Sequence, residues 1–371
     1  MAESEYDLKK AKDYQRIRQV LTLVQLVWTP VVLFIVLLTP LTFFFDDLAS
    51  GWIANPYLHV ALYTLLFFLY LTVVDFPLGF YSGFILEHRF GLSNQSLAAW
   101  FGEYLKRTLL SLGLMLPLIV GLYSLIWHFE AWWVLAWAGY AVVSYVLGKI
   151  FPVWIVPLFY RYGKVEEGTL KKRILDLAAR YGMPVENVYS LNLSKTTKKA
   201  NAAFMGMGKT KRVVLSDTLL EHFTEDEIET VVAHELGHFK HRDILKQLAF
   251  GMVTSFAAFW IAFRLMEYAA PLFGFSGAED VAALPLLFLV FYFFGLVLMP
   301  IQNGFSRILE RAADRFALKA FPRADVFITC MEKLGKVNLA DPEPNPVIEW
   351  FFYDHPAIGK RIQMAQGKQN A

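Results

Sequence analysis

Apolar residues fall along this chain in long unbroken blocks, separated by two stretches where polar residues dominate. Six blocks, at about 19–45, 57–86, 108–127, 132–158, 247–263 and 282–304, are read as membrane spans, because a helix needs roughly 20 apolar residues to cross a bilayer. The polar stretches cover about 159–246 and 305–371. The expected organisation is a membrane region of four spans (1–158), a first polar block (159–246), a transmembrane hairpin (247–304) and a second polar block (305–371). The fold class expected is mainly α, polytopic, with a small β-sheet in the polar part.

Inside the first polar block the periodicity changes. "GTLKKRILDLAARYGM" has the spacing of an amphipathic helix, whereas "NVYSLNL", "ANAAFMG" and "KRVVLSD" are short strand-like runs bounded by turn residues. "MGMGKT" ends as a phosphate-binding loop does, but that pattern needs glycine five residues before Gly208, where Ala203 stands. A hairpin turn between two strands accounts for it better.

Composition agrees with the spans. Of 371 residues, 56% are hydrophobic and 18% charged, outside the usual range of soluble domains. The first apolar run is too long for a signal-peptide core and no small-residue cleavage pattern closes it, so it is read as a retained helix. A net charge of +2 gives no reason to expect nucleic acid.

The placement of Lys and Arg is more informative. Lys9, Lys10, Lys12, Arg16 and Arg18 precede the first span, and Arg89, Lys106 and Arg107 lie between the second and third. Both polar blocks are rich in Lys and Arg, while the loops 46–56 and 128–131 have none. The positive-inside rule then puts both termini and both polar blocks on the cytoplasmic side, with the parity that six spans require. The single cysteine, Cys330, permits no internal disulfide, consistent with a reducing compartment.

The candidate chemistry lies in "TEDEIETVVAHELGHFKHRD", residues 224–243. Thr224 and Glu227 form a capping box ahead of Ile228, Val231 and Val232, which predicts a helix from Glu225 through the motif. On that helix His234 and His238 share one face and can direct two imidazole nitrogens at one zinc ion. Glu235, beside them, suits a general base for a zinc-activated water. Gly237 costs about 1 kcal/mol against Ala in a helix, so its place inside the motif suggests a close approach to the backbone. His241 reads as a surface residue.

Two histidines leave a zinc site one protein ligand short. "SRILERAADRFAL" follows the last span, with Glu310 and Asp314 one turn apart and the small Ala312 and Ala313 between them. Glu310 is the natural third ligand, and Asp314 could accept the free N–H of a ligating histidine. The alternative for these acids is a salt-bridged helix, since Arg307, Arg311 and Arg315 surround them.

With these residues assembled, the chain resembles the integral-membrane zinc metallopeptidases that include the type I CAAX prenyl proteases and the HtpX membrane protease. The resemblance rests on "IVPLFYRYGKVEEGTLKKRI", "KANAAFMGMGKTKRVVLSDTLL", "AHELGHFKHRD", "SRILERAADRFAL" and "DHPAIGKRI", in that order, while "FILEHRFGLSNQSLAAWFGEYLK" is similar to the prenyl protease branch. It implies that Glu310 is the third zinc ligand, that Asp314 supports it, and that Asn201 and Ala203 lie on an edge strand holding the substrate backbone. It implies further that His355 stabilises the oxyanion and that Arg361 stands near the site as a substrate-binding residue. Independently, Pro356 suits the first turn of a helix, which would place His355 at a helix N-terminus. That branch has seven spans against the six found here. Its hydrated intramembrane cavity would make Asp75, in "LTVVDFPLGF", tolerable inside a span.

The expectation is a membrane-embedded endopeptidase with one zinc ion (Zn2+) per chain, acting on a peptide or protein substrate prenylated at its C-terminus. An HtpX-like quality-control protease for membrane-associated peptides is the nearest alternative, and a non-catalytic zinc-binding scaffold the alternative of another class. The membrane would be the cytoplasmic membrane of a bacterium or the endoplasmic reticulum of a eukaryote. The sequence does not specify an oligomeric state.

Overall fold

The structure is a computed structural model that describes residues 2–183, 185, 187–205 and 212–367, with side chains from Leu8 onward. Among the described residues, six helical segments are long and apolar enough to cross a membrane: Leu8–Leu38, Pro56–Arg89, Leu97–His128, Trp132–Phe159, Asp243–Phe273 and Val281–Ala320. They match the six expected spans, with one break in the wrong place. The run 19–45 divides at Pro40 into α1 (Ala2–Leu38) and a short α2 (Leu41–Trp52). Pro40 lacks an N–H and disfavours helical backbone in the residue before it, so the run cannot continue as one helix.

The second span starts at α3 (Pro56–Phe80), whose N-terminal amides Tyr57 and Leu58 are capped by the Asn55 side chain. It passes through a π turn at Tyr81–Ile85, just after Pro77, into α4 (Leu86–Arg89). α5 (Leu97–His128), capped by Ser96, makes the third span. α6 (Trp132–Ile150), a π turn at Phe151–Ile155 and α7 (Val156–Phe159) make the fourth. Asp75 on α3 is half-buried and accepts a hydrogen bond from Trp28 Nε1 at 3.1 Å, so this acid inside a span has a protein partner.

The first polar block carries β1 (Tyr162–Lys164), the expected amphipathic α8 (Thr169–Arg180), β2 (Val188–Leu191), β3 (Ala202–Met205) and β4 (Arg212–Ser216). The sheet order is β1-β2-β4-β3, with β2 and β4 parallel and the outer pairs antiparallel. β1 was not among the expected strands. β3 and β4 pair as a hairpin would, while the turn expected at "MGMGKT" lies largely outside the described residues.

After the sheet come α9 (Asp217–His222) and the motif helix α10 (Glu225–Lys240), followed by α11 (Asp243–Ala269). The last span is α12 (Leu284–Ala320), then α13 (Ala324–Val337), α14 (Pro346–Phe352) and α15 (Ile358–Ala365). α12 has 37 residues, about 55 Å at 1.5 Å per residue, which is well beyond a hydrocarbon core of about 30 Å. It leaves the membrane without a break, and its far end buries Ala317 in one core with Ile174 of α8, Leu215 of β4, Val232 of α10 and Phe327 of α13. The two polar blocks share that core.

Candidate metal centre

α10 begins where the capping box sets it. Thr224 Oγ1 accepts from Glu227 N at 3.3 Å, Glu227 Oε2 accepts from Thr224 N at 2.8 Å, and Lys333 binds the same carboxylate at 2.9 Å. This register turns His234 and His238 toward α12. The two helices touch backbone to backbone at Gly237, where a Cβ would lie 2.9 Å from Ala313 Cα and 3.1 Å from Ala313 O. That is the close approach the glycine suggested, and it brings Glu310 and Asp314 of α12 up to the histidines.

His234 Nδ1 pairs with Asp314 Oδ1 at 2.8 Å, and His238 Nδ1 pairs with Asp243 Oδ2 at 3.0 Å. A carboxylate only accepts, so each Nδ1 donates and each neutral ring is left with a lone pair at Nε2. Those two Nε2 atoms are 3.2 Å apart, and they lie 3.2 and 3.3 Å from the Glu310 oxygens. Glu310 Oε2 is buried with no hydrogen-bond partner, so acceptors face acceptors. Ligands about 2.0–2.1 Å from a tetrahedral zinc ion lie about 3.3 Å from one another. His234, His238 and Glu310 therefore fit the donor set of such an ion, and they are the group of metal-binding side chains found among the described residues.

The electrostatics agree. Burial alone would push His234 toward its neutral form, but the Asp314 and Glu310 carboxylates outweigh burial and lift its pKa to about 9. His238 is raised against the same opposing burial by Glu310 and Asp243, and His355 by Asp354 and Glu310. The centre favours positive charge, which protons or a divalent cation can supply.

Glu235 lies on the strand side of this centre, where its Oε2 accepts from Phe204 N at 3.3 Å. That amide belongs to β3, which ends the sheet order among the described residues, with β4 on its inner side. A cavity of about 190 Å³ between them is lined by Phe204, Met205, Glu235, His238 and Glu310. A larger cavity of about 730 Å³ runs from Glu310 and His355 between α6, α11 and α12. Gln247, Asn303 and Ser306 form its polar side, and Phe250, Phe291 and Phe294 its aromatic side.

Asn201 precedes β3 by one residue instead of lying within it. Its N–H donates to Ser216 Oγ and its carbonyl accepts from Ser216 N, both at 2.9 Å, so a side chain takes one rung of the ladder. Its own side chain is exposed. Ala203 is inside β3, opposite Val214.

His355 does not sit at a helix N-terminus. α15 starts at Ile358 with Ala357 as its N-cap, because Ala357 is non-helical at φ −53° and ψ 143° while its N–H donates to buried Glu349 at 3.2 Å. His355 nevertheless reaches the centre, with Nε2 3.2 Å from Glu310 Oε1 and Nδ1 2.8 Å from Asp354 Oδ1. Arg361 stands behind His234, bidentate on Asp314 at 2.6 and 2.8 Å and 3.4 Å from His234 Nδ1. It braces the centre through Asp314 and His234. His241 is half-buried and its ring packs on Phe316, so it is not the surface residue expected.

Two acids escaped the sequence reading. Asp243 starts α11 five residues after His238, and its only signal was an acid closing "HFKHRD". Asp354, which holds His355, had no signal beyond adjacency.

Peptidase family M48 matches residues 164–369, and the family described as CAAX prenyl protease N-terminal, five membrane helices, matches residues 3–161. The matched N-terminal part holds four of the candidate spans, with α2 too short to cross. The chain is 30% identical over 305 residues to the uncharacterized metalloprotease YhfN of Bacillus subtilis, covering 81% of this chain and 71% of that protein. It is 28% identical to CAAX prenyl protease 1 of Saccharomyces cerevisiae, over 78% of this chain and 68% of the relative. The crystal structure of S. mikatae Ste24p superposes with a TM-score of 0.84 over 97% of this chain and 89% of that one, at 24% identity, which shows the shared fold.

Proposed function

The chain belongs to Peptidase family M48 and is a multi-pass membrane metalloprotease of the CAAX prenyl protease type, and from that premise we propose how its residues divide the work. His234, His238 and Glu310 hold one zinc ion, with Asp314 and Asp243 fixing the histidine tautomers. When bound, the ion supplies Lewis acidity to the scissile carbonyl and lowers the pKa of water. The observation that carries this reading is the convergence of Nε2 and carboxylate lone pairs at 3.2–3.3 Å, with Glu235 on the side facing β3, the last strand of the sheet among the described residues.

Glu235 takes the proton of the attacking water and delivers it to the leaving amine. With Nδ1 committed to Asp354, His355 donates from Nε2 only as imidazolium, the form its carboxylate neighbours favour, and this gives it a donor for the developing oxyanion. An extended peptide adds to the outer edge of β3, aligned by Ala203 and the exposed amide of Asn201. Arg361 positions Asp314 and His234 and does not touch the peptide.

The larger cavity supports a lipid-modified substrate. From Glu310 to Phe291 it follows α12 for about 28 Å, with Phe250 and Phe294 along its wall. A C-terminal prenylcysteine next to the scissile bond would lay its isoprenoid chain there. The Lys and Arg distribution supports a cytoplasmic-side site.

Glu235→Gln is expected to keep stoichiometric zinc and lose proteolysis; full activity in that variant would remove Glu235 from the mechanism. Comparing farnesylated with unmodified peptides tests the substrate. Equal cleavage of both would favour the quality-control reading, for which the polar side of the cavity is the supporting observation.

A further inference from the structure

We propose that α14 is an interfacial anchor, whose Val347 and Trp350 side chains enter the headgroup region of the leaflet adjoining the metal centre, so that the bilayer helps to hold His355. The proposal goes beyond the catalytic roles above and does not depend on which substrate the site takes.

α14 is apolar where it is exposed. Val347 and Trp350, one turn apart, are 68% and 57% exposed, whereas the sole charged residue of the helix, Glu349, is 5% exposed. The Glu349 carboxylate turns inward, accepting from Ala357 N at 3.2 Å and Lys360 Nζ at 2.6 Å. The helix thus offers a face with large hydrophobic side chains and no charge.

Its backbone ends are satisfied from within the protein. At the N-terminus Asn345 Oδ1 accepts from Val347 N at 2.9 Å. At the C-terminus the Arg307 guanidinium donates to the carbonyls of Glu349 at 3.0 Å, Trp350 at 3.2 Å and Tyr353. Water commonly serves such orphan carbonyls, and a helix end that recruits a buried arginine instead is suited to surroundings poor in water.

The depth follows from the tethers. Asn303 Nδ2 donates to Phe351 O at 2.6 Å, and Arg307 lies one turn further along α12, so α14 is pinned to the point where the apolar run 282–304 ends. On α12, Phe293, Val297, Ile301 and Ile308 form an exposed apolar stripe that continues past this level. The membrane-facing surface of the last span is therefore continuous with the level of α14. Tryptophan is favoured at this boundary because its ring is amphipathic. Three residues beyond α14, His355 meets Glu310.

The test uses the chain's single cysteine. Cys330 is fully buried and burial pushes its thiol up to about 12, so it stays silent to thiol labels. Full-length V347C, carrying an environment-sensitive fluorophore, is placed in phosphatidylcholine–phosphatidylglycerol nanodiscs with brominated acyl chains, with K172C at an exposed position of α8 as the aqueous control. The expected result is loss of most of the V347C emission to brominated lipid and little to iodide, with the reverse at K172C. Quenching of V347C by iodide alone would overturn the proposal. Shielding from both quenchers, with dimers on cross-linking at V347C, would assign the face to a second copy and also overturn it. The functional arm compares V347E/W350E with W350F at equal bound metal. Loss of nanodisc activity in the first alone supports the link to His355, and unchanged activity in both refutes that link.

Discussion

Gly237→Ala offers a sharp test of how the centre is assembled, because helix propensity and tertiary packing make opposite predictions. On an isolated helix alanine would be favoured by about 1 kcal/mol. Here the new methyl would stand 2.9 Å from Ala313 Cα, 3.1 Å from its carbonyl oxygen and 3.2 Å from its Cβ. Carbon–carbon contacts begin near about 3.5 Å, so α10 and α12 must part by roughly half an ångström or more. None of these three Ala313 atoms is the movable end of a flexible side chain. Overpacking of this kind costs about 1–3 kcal/mol, which offsets the propensity gain and leaves a small net destabilisation of about 0–2 kcal/mol.

The larger effect falls on the metal. His234 and His238 ride on α10 and Glu310 on α12, with ligand atoms now 3.2–3.3 Å apart. A half-ångström separation moves Glu310 out of range for one ion with both histidines. Purified Gly237→Ala should therefore lose metal under mild chelation that spares the wild type, and lose activity in proportion. Elemental analysis and thermal unfolding, with and without chelator, measure the two parts. Wild-type metal retention together with a raised melting temperature would refute the reasoning, since it would mean that propensity decides and the helices do not touch here.

Asp243→Ala removes the acceptor that sets the His238 tautomer, and should weaken zinc about 10–100-fold without unfolding the protein; competition with a chromogenic chelator measures it. Arg361→Lys cannot reproduce the bidentate contact to Asp314, so metal affinity should fall while KM for the peptide stays near wild type. A KM effect with unchanged metal binding would place Arg361 on the substrate instead. In the metal-free centre the carboxylates lift His234 to about 9, so zinc must displace a proton at neutral pH. Apparent affinity should then rise by up to about tenfold per pH unit for each proton released, through the range below that value. Calorimetry in buffers of different ionisation enthalpy counts those protons, and a pH-independent affinity would contradict the assignment.

What the sequence determined by itself was local. Bilayer-length apolar runs, the Thr224–Glu227 box and the four-residue histidine spacing each need only neighbouring residues, because helix geometry and hydrophobic length act over one segment. Glu310 was also within reach, since a zinc site short of a ligand points to the first acid pair after the last span. Tertiary packing decided the rest. Ser216 lends its side chain to the sheet edge and leaves Asn201 just outside β3; Glu349 reaches back to Ala357 and delays α15 past His355; Asp243 meets His238 only once the chain has turned into α11. Arg361 could have been a surface charge until α15 carried it behind Asp314. Each of these contacts joins groups whose proximity no local pattern encodes, and each is set by a crossing such as Gly237 on Ala313, where the absence of one methyl group lets two helices meet.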